Sequence, residues 1–198
     1  MKKLLILAVG IVSLPSFASV SANVSIASDY IWRGMTQTDG PAIQGGFDFA
    51  AENGFYAGIW GSNVNFNDTG NGSEMDYYFG YGFEVDGLGI DIGYVAFDYP
   101  DNTEGSDFEE VVIGLSYSDF GLTFALGQDV APDYTEVSYG LGAFSFAYGE
   151  YDDYGDNIAI SYGFTCGSYD CGLTYTDFSS IEDGKDENAL VFSVSASL

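Results

Sequence analysis

The sequence predicts an all-β protein: a transmembrane antiparallel up-and-down β-barrel of about twelve strands. Three observations carry this. Side chains alternate with a period of two, and turn signals recur between the alternating segments. The apolar face of those segments holds large rings, while the opposite face holds glycine, serine and carboxylates.

The alternation is clearest in "SEMDYYFGYGFEVDG". Met75, Tyr77, Phe79, Tyr81, Phe83 and Val85 share one face, opposite Glu74, Asp76, Tyr78, Gly80, Gly82 and Glu84. "LGIDIGYVA" repeats the pattern with Leu88, Ile90, Ile92 and Tyr94 against Gly89, Asp91 and Gly93. The last segment sets Leu190, Phe192, Val194, Ala196 and Leu198 against Val191, Ser193, Ser195 and Ser197. Successive strand residues point to opposite faces, so each segment reads as a strand with two different environments. "GFYAGIWGSNVNF" is ambiguous: Tyr56, Trp60, Val64 and Phe66 share one parity, and Phe55, Ala57 and Ile59 the other. A bulge at Gly58 or Gly61 would switch its faces.

Short turns are expected at 52–54, 86–87, 119–121, 140–142 and 166–171, where Gly and Asn supply positive φ or the two cysteines meet. Longer polar connections fall at 36–41, 67–73, 100–106, 129–134, 152–156 and 179–187. The two kinds alternate, which places all short turns on one side, with both termini. A soluble β-sandwich would have to bury the glycine-and-carboxylate face or leave a dense face of rings in water. Turning the rings to lipid and the carboxylates to a watery lumen removes the conflict.

The N-terminus reads as a signal peptide: Lys2 and Lys3, an apolar run from Leu4 to Leu14, and a small-x-small site at Ser16-Phe17-Ala18. Cleavage is expected after Ala18, with Ala22 as the alternative. Residues 1–18 then leave, and 19–198 form one barrel domain of a Gram-negative outer membrane. The exported chain keeps two positive charges, Arg33 and Lys185, against 30 acidic residues, a net of −28. That excludes nucleic acid as a partner, because its phosphates require Lys and Arg. Sixteen Tyr and 16 Phe exclude a disordered chain.

Cys166 and Cys171 in "TCGSYDCG" are expected to form a disulfide across a tight turn, as an exported chain favours. With no histidine in the chain they make no zinc site, and no metal or cofactor is expected. The missing histidine also removes Ser-His catalysis, and the abundance of acids makes any carboxylate pair unspecific, so no catalytic residue and no enzyme activity are expected. The loop "NDTGNGSEMD" misses the calcium-loop pattern, leaving at most weak divalent binding at the acidic loops.

In "NVSIASDYIWRGMTQTDG", read as the first strand, Val24, Ile26, Ser28, Tyr30 and Trp32 face lipid, and Ser25, Ala27, Asp29, Ile31 and Arg33 face inward. The same parity makes Asp48, Asp76, Glu84, Asp91, Glu110 and Glu136 pore-lining, with Arg33 close to Asp29 and offering forked donors to several carboxylates. Arg33 then either neutralises its neighbours and holds the barrel shut, or sets a constriction that selects permeants. Rings of Asp and Glu favour cations.

"NVSIASDYIWRGMTQ", with "GFYAGIWGSNVNF", "DYPDN" and "DFEEVVIGLSYSDFG", resembles the TorF family of proteobacterial porins, whose S-D-Y-x-[FW]-R-G-x-[ST]-Q opening is matched by Ser28 to Gln37. The resemblance implies an outer-membrane barrel in contact with lipid and brings no catalytic residue or substrate. The expected function is a narrow, cation-preferring channel for small solutes. The alternatives are a closed structural or adhesive barrel and, third, a secreted soluble β protein.

Overall fold

The computed structural model describes residues 18–66, 70–100, 107–129 and 131–198. Residues 1–17, most of the expected signal peptide, lie outside the described residues, as do 67–69, 101–106 and 130 within the expected polar connections.

Twelve antiparallel strands close into a barrel. In chain order these begin with β1 (Ser19–Ala27), β4 (Ala42–Ala50), β5 (Phe55–Phe66) and β6 (Gly70–Val85). Next come β7 (Leu88–Asp98), β8 (Phe108–Tyr117), β9 (Phe120–Gly127) and β10 (Tyr134–Leu141). The last four are β11 (Phe144–Tyr151), β12 (Gly155–Cys166), β13 (Tyr169–Ser180) and β14 (Glu187–Ser197). Each strand pairs with its neighbours in sequence, and β1 closes on β14 from Asn23↔Ser197 to Ala27↔Ser193. Between β1 and β4 lies a separate hairpin of two-residue strands, β2 (Ile31–Trp32) and β3 (Met35–Thr36), which is not part of the wall.

The alternation of turns holds with shifted edges. Residues 51–54, 86–87, 118–119, 142–143 and 167–168 join strands at the end where the termini meet, and Ala22 and Leu198 exchange backbone hydrogen bonds of 3.2 and 2.8 Å there. The opposite end carries 28–41, 99–100, 107, 128–129, 131–133, 152–154 and 181–186. Two turns begin off their expected positions because positive φ falls at Ser118 and Gly142, not at Gly121 and Gly140. The expected connection 152–156 shrinks to three residues as Gly155 starts β12. Cys166 and Cys171 are disulfide-bonded across 167–168, with Cα atoms 5.8 Å apart.

The β5 ambiguity resolves without a bulge. Its register with β6 runs unbroken from Phe55↔Tyr81 to Phe66↔Gly70. Tyr56, Trp60, Ser62 and Val64 are all buried on the inward face, and Phe55 is exposed on the outward one.

Rings and aliphatics on the outward parity are bare: Ile43 is 65 % exposed, Phe47 63 % and Phe79 52 %. Towards the short turns this band ends in exposed rings, among them Tyr117, Phe120, Phe144 and Tyr169. Towards the other end it gives way to Asp98, Glu109, Glu150 and Asp177. The inward face also divides by height. Gly82, Gly89, Ser116, Gly121, Ser138 and Ser193 line the short-turn half, whereas Val64, Phe97, Phe108, Val112, Tyr134 and Tyr151 crowd the other half. The expectation of a small, polar inner face throughout is therefore corrected. The upper lumen is aromatic because it packs around the inserted hairpin.

Candidate functional site: a hairpin seated in an acidic lumen

The first wall strand ends at Ala27, not at Arg33. Residues 28–41 fold into the barrel, so Tyr30 and Trp32 pack inside rather than against lipid; Tyr30 is only 4 % exposed. The turn of the hairpin is Arg33-Gly34, with φ of 49° and 87°, the positive pair that a tight two-residue turn requires. Glycine is needed at 34 for a second reason. A Cβ there would stand 2.8 Å from Cβ of Asn157 on β12 and 2.9 Å from Cβ of Phe178 on β13.

The hairpin braces itself before it touches the wall. Ile31 pairs with Thr36, and Trp32 with Met35. The Thr36 and Thr38 hydroxyls donate to Asp29 at 2.9 and 2.8 Å, and the Tyr30 amide donates to Thr38 Oγ1 at 2.9 Å. Asp29 is thus a brace within the connection and does not pair with Arg33, which corrects the expected Asp29–Arg33 association.

Contacts with the wall span much of the barrel's circumference. Tyr30 donates its phenol to Glu74 of β6 at 3.0 Å and meets Trp60 of β5 edge to face, centroids 5.4 Å apart. Burial first, then the charges of Glu74 and Asp76, hold the Tyr30 hydroxyl well above its ordinary pKa, so it remains a donor. Trp32 packs on Phe97 of β7, Phe108 of β8 and Tyr151 of β11 at 5.6–5.9 Å. The Thr36 amide donates to Glu187 of β14 at 2.8 Å.

Arg33 sits at the centre of this array. Its two terminal nitrogens donate to the two oxygens of Glu110, each at 2.7 Å, a forked pair whose side chains are 9 % and 2 % exposed. Its Cζ lies 4.2 Å from the ring centres of both Trp32 and Tyr134 and 4.9 Å from that of Tyr151. Glu136 is one position along β10 on the same face, accepting from the Tyr134 hydroxyl at 2.9 Å.

Asp48, Asp76, Glu84, Asp91, Glu110 and Glu136 all occupy inward positions of the wall, at three heights. Asp76, Glu110 and Glu136 surround the hairpin. Asp91 and Asp48 lie toward the short turns, Asp91 accepting from Tyr56 at 2.8 Å and Asp48 from Tyr78 and, at 3.2 Å, from Asn23. Glu84 is exposed near the 86–87 turn. Sequence reasoning passed over Glu74 as a site residue, although its parity matches Asp76, and it missed Tyr30, Trp32, Tyr134 and Tyr151. The signal was present in "YxE" at 134–136, where an inward tyrosine precedes an inward acid by one strand repeat. Acids in the connections serve the backbone: Asp133 accepts from the Gly127 amide and Asp186 from the Ser180 amide, at 2.8 and 2.9 Å.

A bacterial β-barrel with an apolar belt and a filled acidic lumen fits an outer membrane. The family model described as "Bacterial protein of unknown function (Gcw_chp)" matches residues 14–183. The chain belongs to this family. The TorF name finds no support in that match, and no curated protein matches the chain.

Proposed function

We propose that the chain is an outer-membrane porin whose acidic lumen passes small solutes, preferring cations, with the hairpin at 28–41 as its constriction. The observation that carries this is the charge balance inside. Among the described residues Arg33 is the one basic side chain in the lumen, and Glu110 already neutralises it. Further wall carboxylates remain inward besides Glu110, among them Asp48, Glu84, Asp91, Glu136 and Glu187. Such a path concentrates cations and repels anions. On this reading the Gly- and Ser-lined half of the lumen lies toward the short-turn side, which faces the periplasm. On the same reading the signal is cleaved after Ala18, which leaves β1 whole from Ser19, whereas cleavage after Ala22 would remove four residues paired with β4. The reading assigns no catalytic step and no cofactor.

Planar-bilayer recording of the purified barrel in a salt gradient tests it. A small conductance with a cation-selective reversal potential is expected, and Gly34→Ala, which unseats the turn, should raise the conductance. Anion preference would overturn the reading. A second reading, a closed structural or adhesive barrel, draws on the burial of the Arg33–Glu110 pair in the aromatic half of the lumen. It takes precedence if neither wild type nor Gly34→Ala conducts.

A further inference from the structure

Three of the four groups that hold the Arg33 guanidinium belong to the wall and stay behind if the hairpin lifts: Glu110 on β8, Tyr134 on β10 and Tyr151 on β11. Only Trp32 travels with the arginine. The pocket is built, not incidental. With the hairpin seated, Glu110 is 1 % exposed, Tyr134 5 % and Tyr151 6 %, and the two tyrosine rings stand edge to face at 5.9 Å. The Tyr134 hydroxyl is fixed by Glu136 and by Asn157. A carboxylate sheltered from water is strongly unfavourable without a cation, so the emptied pocket favours a positive guest. Ring faces at this spacing favour a flat, delocalised cation, and a two-oxygen acceptor favours a planar fork of N–H donors over a compact ammonium.

The geometry points to a binding site, formed by Glu110, Tyr134 and Tyr151, for small cations bearing a guanidinium or amidinium group, with Arg33 as its resident occupant and the free cation as the species that displaces it. This deepens the channel reading by naming the class of solute that unseats the constriction, and its consequence for conductance rests on that reading; binding itself does not. In the wild type a free guanidinium competes with a tethered one, whose effective concentration is on the order of millimolar for a short linker. Removing the Arg33 side chain removes the competitor.

The probe is methylguanidinium chloride, compared with potassium chloride at equal ionic strength, on detergent-purified protein. Arg33→Ala is expected to gain several degrees in Tm, saturating in the millimolar range, with no gain from potassium. The double variant Arg33→Ala/Glu110→Gln is expected to gain nothing. A second measurement needs no emptied pocket: with Trp60→Phe, acrylamide quenching of Trp32 should rise saturably with methylguanidinium as the hairpin lifts. If Arg33→Ala fails to fold, the quenching decides. Absence of a saturable response, or an equal response with and without the Glu110 carboxylate, overturns the site. A saturable, Glu110-dependent response in a barrel that never conducts upholds the site and sinks the channel reading instead.

Discussion

Arg33 holds a left-handed backbone conformation, φ 49°, which costs a residue with a side chain about 1–2 kcal/mol, and it gives up most of its water as well. Such a conformation persists only where the surroundings over-determine it. Here that is the forked pair with Glu110 and the three rings around the guanidinium. Glu110→Gln keeps the shape and removes the charge. Breaking one partner of a buried pair costs about 3–5 kcal/mol, because the other charge is left unmatched. The barrel can relieve this by releasing the hairpin to water while its wall stays paired. The expected outcome is a large rise in acrylamide access to Trp32 at unchanged β-sheet circular dichroism. Arg33→Met with Glu110→Gln removes both charges and should return Trp32 to shelter, since no buried charge is left unmatched. Loss of the sheet signal in Glu110→Gln alone would mean that the pair holds the wall and not the hairpin.

The hairpin at 28–41 is the element whose placement decides the site, and it was the least legible in the sequence. Its alternation, Val24, Ile26, Ser28, Tyr30, Trp32, continues that of β1 without a break, and alternation reports an apolar neighbour without saying whether that neighbour is lipid or another ring. What marks the boundary is local chemistry. Arg33-Gly34 is a positive-φ turn, and Asp29, Thr36 and Thr38 are spaced to lock its base. The facing of Arg33 was readable from the cost of an arginine in lipid, but its partner was not, because Glu110 lies 77 residues away and parity fixes a face without fixing a height. Trypsin offers a direct check, since Arg33 and Lys185 are the basic residues beyond Lys2 and Lys3. Lys185, ion-paired with Glu182 in the 181–186 turn, is 68 % exposed in its side chain, against 9 % for Arg33. Folded protein in detergent should therefore be cut after Lys185 and spared after Arg33. Gly34→Ala, which combines a positive φ with a clash against Asn157 and Phe178, should make both sites labile. Early cleavage after Arg33 in the wild type would show that the connection does not sit in the lumen.

At the scale of the whole molecule, the strand count and the inside-outside assignment were legible because alternation and turn chemistry act within a few residues. The division of the lumen into a glycine-rich half and an aromatic half was not, since it depends on which strands meet at one height. The outward face carries the last prediction. A soluble barrel with half-exposed aliphatics would gain or lose little from a lysine there, and its solubility would improve. A barrel in lipid instead incurs a cost that depends on depth, about 2–4 kcal/mol for lysine at the bilayer midplane and about 0–1 near the interface. Ile92 lies midway along β7 and is 50 % exposed; Leu88, four residues away on the same face, sits beside the 86–87 turn at 36 %. Denaturant unfolding of the protein reconstituted in lipid vesicles should thus show Ile92→Lys destabilised by the larger amount and Leu88→Lys nearly unchanged. Equal, small effects at both positions would mean that the apolar belt does not meet hydrocarbon, and the carboxylates assigned to the lumen would lose their claim to line a path through a membrane.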